Sequence, residues 1–328
     1  MSQYNYCTDS STHETTNKGA RMFKKLKYDH YGYLFVAPFI IGFLIFGLYP
    51  VLNTVFLSFT DRTLMSRTFN ITWFKNFQLL FADKTFITAV TNTWELWLMN
   101  FIPQMGIAFL LSVFFTNLRL KIKGVGVWRM IFYMPNLMMA SAIAALFFSL
   151  FSYYGPVNQF IVRSGFVAEA IDFIRKPSWM RGLVVFIQWW MWFGQTTILL
   201  MAAMTAIPVS LYEAALVDGA GSLQMFLHIT LPLIKPVMIY ILVTSLVGGM
   251  QMFDIPYLLT DGRGSPGNSI LTNTINMYMK FHSSKGHIGA ASAVGLVVFL
   301  MTSIVALLIF FLLREKHDEP VKNGNREK

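Results

Sequence analysis

"EAALVDGAGSLQMFLHITLP", residues 213–232, lies between two stretches that are almost unbroken hydrocarbon, 182–206 and 237–259. Each flanking stretch is long enough to cross about 30 Å of bilayer core as a helix. The acid, the glycines and the proline between them therefore belong outside that core. Four more runs of similar length, 33–59, 90–115, 130–151 and 288–313, repeat the pattern along the chain. One such run is compatible with a buried helix of a soluble protein, but six in series are not. Composition agrees: 55% of the 328 residues are hydrophobic and 13% are charged, against about 25% charged in soluble domains. Mean hydropathy is +0.52. The expected fold class is an all-α membrane protein with six transmembrane helices. The first run is too long for a signal-peptide core and follows about thirty polar residues, so it is expected to remain as a helix.

Orientation follows from the basic flanks. "RMFKKLKYDH", "RLKIKGVGVWR" and "REKHDEP" carry clustered Lys and Arg, and six spans place all three on one side. That side is the expected cytoplasm. The opposite loops hold Arg163, Arg175, Lys176 and Arg181, spread over more residues. The reading divides the chain into a disordered cytoplasmic tail (1–30), a membrane domain (31–314) and a short cytoplasmic tail (315–328), with 208–232 as a cytoplasmic connection. The net charge of +10 is split between distant flanks and forms no patch for nucleic acid. Cys7 is the only cysteine and lies in the polar tail, which leaves no disulfide framework or zinc motif. No G-x-x-x-x-G-K-[ST] loop, catalytic triad or HExxH pattern is present, and His228, His282 and His287 are isolated. Neither enzymatic chemistry nor a cofactor is expected in this chain.

Around the connection, Pro208 ends one span, and Ser210 with Glu213 fits a capping box. Asp218, Gly219 and Gly221 break the helix, and "SLQMFLHI" restarts it until Pro232 and Pro236 stop it. Two readings of this helix–turn–helix remain open on the residues alone: it rests on the membrane surface, or it docks a partner. In the first outer loop, "WFKNFQLLF" sets Trp73, Phe74, Phe77, Leu80 and Phe81 at helical spacing, predicting a short interfacial helix.

The connection resembles the signature E-A-A-x3-G-x9-I-x-L-P of membrane subunits of bacterial ABC importers. Glu213, Ala214, Ala215, Gly219, Ile229, Leu231 and Pro232 occupy the fixed positions, with Asp218 beside the glycine. The resemblance implies the type I importer permease fold in a bacterial cell (inner) membrane. It also implies that this segment is a coupling helix seated in a cleft of a separate ATP-hydrolysing subunit. The implied partners are a second permease subunit, forming a heterodimer, two cytoplasmic ATPase subunits that use ATP and Mg, and an external solute-binding protein. "APFIIGFLIFGLYPVLNTVFLSFTD", "NFQLLFADKTFITAVTNT", "RMIFYMPNLMMASAIA" and "FDIPYLLTDGRGSPGNS" are similar to the carbohydrate-uptake branch, including maltose and multiple-sugar permease subunits, which implies a sugar or oligosaccharide solute. The chain departs from that branch after the fifth span, where Arg263-Gly264-Ser265-Pro266-Gly267 replaces the usual Gly-Gly-Pro. A non-sugar solute, such as a glycerophosphodiester or polyamine, is the alternative within this class. A self-sufficient channel or secondary transporter is the alternative outside it; paired intramembrane charges or inverted repeats would mark a secondary transporter, and neither is evident.

Polar side chains inside spans face a cavity or a partner helix. At about 1.5 Å per residue, Asn100, Trp192 and Gln195 fall near mid-membrane. Gln104 lies deeper, and Gln188, Gln251 and Asp254 lie nearer the outer face. Gln188, Trp192 and Gln195 share a helical face, suited to sugar hydroxyls and an apolar ring face. Hydrogen-bonded glue between helices is the plainer account of these amides. The cluster Trp189, Trp190 and Trp192 is equally compatible with a lipid-facing role, and Glu95 with snorkelling. Gly248-Gly249 permits either a kink or close packing.

Overall fold

The computed structural model describes residues 32–314 apart from 118, 119 and 121, so the two tails and Cys7 lie outside the described residues. By contacts the chain separates into two compact units, Met1–Phe56 and Leu57–Lys328, a division within the single membrane domain expected from sequence. The first contains nearly all of α1 (Gly32–Ser58). This helix widens into a π-turn over Leu44–Leu48, with the Tyr49 N–H bonded to the Leu44 carbonyl. The turn absorbs the register mismatch caused by Pro50, which lacks an N–H and crowds the preceding turn. No residue in 32–56 is buried; a helix apolar on all sides needs lipid or another helix around it.

The second unit begins with α2 (Lys75–Ala82), α3 (Lys84–Thr116), α4 (Val125–Leu137), α5 (Ala140–Leu150), α6 (Pro156–Arg163) and α7 (Pro177–Thr205). After α7 come α8 (Val209–Val217), α9 (Ser222–Leu233), α10 (Lys235–Met250), α11 (Asp254–Thr260), α12 (Asn273–Phe281) and α13 (Ile288–Leu313). Among the described residues there are no strands, only isolated bridges. Among the described residues, five helices are long and apolar enough to cross a membrane, counting Lys235–Thr260 as one, and the pair α4–α5 makes the sixth candidate.

Two expected spans are not straight. The run 130–151 bends by 89° between α4 and α5. Pro135 in the last turn of α4 removes a donor, and Met138 and Met139 adopt extended backbone. The run 237–259 is interrupted at residues 251–253, between α10 and α11. The amphipathic helix of the first outer loop does form, starting at Lys75, after Trp73 turns the chain with φ 50°. Its apolar side is not given wholly to an interface: Leu80 and Phe77 pack with Phe86, Ala293 and Val294, while Phe74, Leu79 and Phe81 stay exposed.

The most extensive pairing in the unit is α3 on α7. Helix α4 crosses α7 at Gly194, where a Cβ would overlap the Phe132 carbonyl. The core beside the break buries Leu96, Ile143, Val184, Ile187, Met252 and Ile255. At the N-terminal end of α7, Arg181 ties three segments together. Its Nη1 donates to Glu95 (2.7 Å), its Nη2 to Asn92 Oδ1 (2.6 Å) and its Nε to the Ser269 carbonyl (2.8 Å). Asn92 in turn donates to the carbonyls of Asn268 and Leu271. Glu95, for which snorkelling was an open reading, is therefore half of an ion pair. A second ion pair, Lys280 to Asp83 at 2.7 Å, joins α12 to the start of α3. Burial raises the Asp83 carboxyl, but Lys280 and the Thr85 N–H outweigh it and hold the group below its ordinary value.

Asn92 is buried and depends on Arg181 for its carbonyl oxygen. Arg181→Met should destabilise the solubilised protein by about 1–3 kcal/mol, the usual effect of orphaning a buried polar group. Glu95→Gln keeps an acceptor and should have a smaller effect. Thermal unfolding in detergent checks both; equal and negligible shifts would mean that the network is ornamental to stability.

Candidate functional site

Helices α3, α7 and α10 enclose a cavity of about 240 Å³. All seven residues singled out for a solute path line it: Asn100 and Gln104 from α3, Gln188, Trp192 and Gln195 from α7, Gln251 from the break, and Asp254 from the first turn of α11. The α7 residues reach it because 188, 192 and 195 repeat at helical spacing on the face turned to α3 and α10. Trp192 remains 43% exposed within this wall, so its ring is presented rather than packed. Its neighbours behave differently. Trp190 packs edge-on against Phe147, and Trp189 stacks on Phe193.

The break that supplies Gln251 and Asp254 is held by hydrogen bonds from outside its own helix. Gln251 N–H still closes on Val247 and Met252 N–H on Gly249. The Met252 carbonyl, left over by the interruption, accepts from the buried Thr272 Oγ1 at 2.8 Å. Thr272 heads α12, whose Asn273 N–H donates to Thr93 Oγ1 at 3.0 Å. Of the two glycines before the break, Gly249 serves close packing, since a Cβ there would overlap the Trp97 ring. Gly248 meets nothing within 4 Å and leaves room in the cavity.

Hydrogen bonding fixes several lining groups. Gln104 Nε2 donates to Thr196 Oγ1 at 2.7 Å, and Thr196 donates to the Trp192 carbonyl at 3.2 Å. Trp97 Nε1 donates to Ser245 Oγ at 3.2 Å, which leaves the Ser245 hydroxyl hydrogen free to point elsewhere. Asn100 is buried, and its Oδ1 has no hydrogen-bond partner. Some amides thus do act between helices, as Gln104 does, while remaining in the wall. Amides and hydroxyls that both donate and accept, around one flat aromatic face, suit a polyhydroxylated molecule. The lining contains no lysine, arginine or histidine.

Sequence reasoning missed the contributions of Tyr240, Thr244 and Ser245 from α10. Short hydroxyl residues in an apolar run give little signal, because they also bond their own helix, as Thr244 does to the Tyr240 carbonyl.

Below the cavity, α8 and α9 form the expected helix–turn–helix, with two corrections. There is no capping box at Ser210 and Glu213: α8 begins at Val209 after Pro208, which places Ser210 inside the helix. The cap belongs to α9, where Gln224 Oε1 accepts the Gly221 N–H at 2.9 Å. Nor does Pro232 stop α9. A π-turn over Phe226–Thr230 shifts the bonding ahead of the proline, and the helix continues to Leu233. Gly219 turns the chain with φ +80°, with nothing within 4 Å of a Cβ. The left-handed conformation alone therefore requires a glycine there.

The signature residues divide by exposure. Glu213, Ala214, Asp218 and Gly219 are exposed, as is Pro232, whereas Ala215, Ile229 and Leu231 are partly covered. Ile229 packs inward with Tyr212 and Phe226 against Leu200, Met204, Ile234 and Ile241. Tyr212 and Thr230 hydroxyls meet at 2.8 Å and clamp the two arms. The outward side is apolar, with Val217 89% and Leu223 69% exposed.

A family model described as "binding-protein-dependent transport system inner membrane component" matches residues 96–316. The chain belongs to this family. It is 33% identical over 293 residues to the lactose transport system permease protein LacF of Rhizobium radiobacter, covering 89% of this chain and 97% of that one. A chain from a bacterial ABC transporter crystal structure, involved in import of the acidic polysaccharide alginate, superposes with TM-score 0.75 and 25% identity, covering 91% of this chain and all of the other. An alginate transporter in complex with an alginate pentasaccharide-bound periplasmic protein gives TM-score 0.74 and 25% identity, covering 90% and 97%. The six-span helical fold is thus that of an ABC importer membrane component.

Gly248→Leu should fold normally, because its side chain enters open space, and should fill much of the cavity. Solute uptake should fall about tenfold or more, the equivalent of 1.4 kcal/mol, with an unchanged melting temperature. Unaltered uptake would remove the cavity from the transport route.

Proposed function

We propose that this chain is a permease subunit of an ATP-driven importer for a sugar or oligosaccharide. In this reading, the cavity between α3, α7 and α10 is part of the solute path. The α8–α9 loop faces the cytoplasm, along with both termini, and seats in a separate ATPase subunit that uses ATP and Mg. A second permease subunit completes the membrane pore, and an external binding protein delivers the solute. The similarities to a lactose permease protein and to alginate transporters support a saccharide.

One observation carries the mechanism: Ile241 belongs both to the cavity wall and to the packed cluster that anchors the loop. Protein interiors are close-packed and transmit displacement. A force applied to Val217 and Leu223 passes through Tyr212, Phe226 and Ile229 into α7 and α10, two of the three helices that enclose the cavity. Motion of the loop therefore becomes a change in the width of the path. The exposed apolar residues account for grip by a partner, and Glu213 and Asp218 offer polar contacts at its rim.

The loop geometry supplies a test. Gly219→Val forces a β-branched side chain into positive φ, a strain of about 1–3 kcal/mol, while Gly219→Asn tolerates that conformation. Val should abolish uptake and release the ATPase during purification, with the six spans still inserted. Asn should retain both ATPase and most uptake. Normal transport by Gly219→Val, with its full complement of ATPase, would refute the docking role.

A further inference from the structure

Resting on the saccharide reading, we propose that the path lined by this chain admits uncharged saccharides and rejects acidic ones. The cavity between α3, α7 and α10 has a single charged residue in its lining, Asp254, and no cation. Asp254 takes part in neither ion pair found among the described residues, so no salt-bridged cation offsets its negative charge in the lining. A second cavity of about 560 Å³ lies between α10, α12 and α13, and its polar lining is Gln251, Asn273, Thr274, Thr302 and Ser303, with no charged residue. Gln251 lines both cavities. A solute passing from one to the other therefore meets apolar wall and, apart from Asp254, only uncharged polar groups, with no lysine, arginine or histidine.

Recognition of a uronate calls for the opposite equipment: a guanidinium or ammonium that pairs with each carboxylate as it is stripped of water. The one guanidinium on the α7 wall helix above the cavity is Arg181, and it is absent from both linings. Three of its five N–H donors are already committed to Glu95, Asn92 and the Ser269 carbonyl. The exposed ring of Trp192 also disfavours an anion, because the face of an aromatic ring is the negative end of its quadrupole. Asp254 adds direct repulsion: two like charges about 6 Å apart in a partly wet site repel enough to change binding about tenfold. Neutral sugar hydroxyls, which donate and accept, match the amide wall without any of these penalties. The fold shared with an alginate transporter chain does not carry that transporter's acidic solute with it, because charge selection resides in the lining side chains.

Direct binding to the intact transporter complex in nanodiscs, without its solute-binding protein, isolates the membrane path from upstream selection. The probes are neutral lactose, maltotriose and arabinotriose, the acidic digalacturonate and trigalacturonate, and the trimer of glucosamine, tested on wild type, Asp254→Asn and Trp192→Leu. At least one neutral probe should bind about tenfold or more tightly than either uronate. Asp254→Asn should narrow that gap to about threefold or less, and added salt should narrow it in the wild type. A uronate that binds as well as the best neutral probe overturns the proposal, as does a gap indifferent to Asp254→Asn. Tightest binding by the glucosamine trimer, lost in Asp254→Asn, would make Asp254 a cation site and also overturn it. If no saccharide binds above the Trp192→Leu background, the saccharide reading itself fails, and this inference falls with it.

Discussion

In hydrocarbon no water is available to a backbone group that loses its helical partner, so a spanning helix can be interrupted only where the protein itself replaces the missing hydrogen bonds. The interruption at residues 251–253 obeys this constraint, and the cavity depends on it. The Met252 carbonyl is taken by Thr272. The segment carrying Thr272 is pinned to α3 through Asn92 and Thr93, and Asn92 is fixed by Arg181. A polar network at the N-terminal end of α7 therefore supports the placement of Gln251 and Asp254 in the wall. Without it, the backbone freed between α10 and α11 loses its partners, and the cavity loses the side that these two residues form.

The same economy of packing appears at the other end. The α8–α9 loop is not a loose excursion: Tyr212 and Thr230 clamp its arms, and three of its apolar side chains enter the cluster under α7 and α10. What it leaves outside is equally specific, an apolar tip at Val217 and Leu223 on either side of a left-handed glycine. In the proposed mechanism this arrangement makes the loop a rigid handle. Energy from a partner reaches the path through side-chain contact, with Ile241 common to both.

Much of this was legible in the sequence. Six apolar runs gave the spans, and the spacing of Gln188, Trp192 and Gln195 gave one wall of the cavity. The α3 amides were visible because polar side chains stand out in hydrocarbon. What stayed hidden were the features decided between elements. Pro135 hints at a bend, but its 89° angle arises from extended backbone at Met138 and Met139. The Arg181–Glu95 pair joins residues 86 positions apart, with Glu95 inside one apolar run and Arg181 just before the start of another. Ser210 and Glu213 matched a capping pattern that the actual helix start at Val209 displaces, because Pro208 already sets the first turn.

The central claim is that one chain carries a solute cavity and, packed beneath it, a handle for a motor. A single-particle structure of the assembled transporter with bound saccharide tests this most directly. The account predicts solute density against Trp192, Gln195 and Gln251, with Val217 and Leu223 covered by the ATPase subunit. Solute density elsewhere, with these cavity residues sealed by helix packing and the α8–α9 tip bare in solvent or lipid, would contradict it.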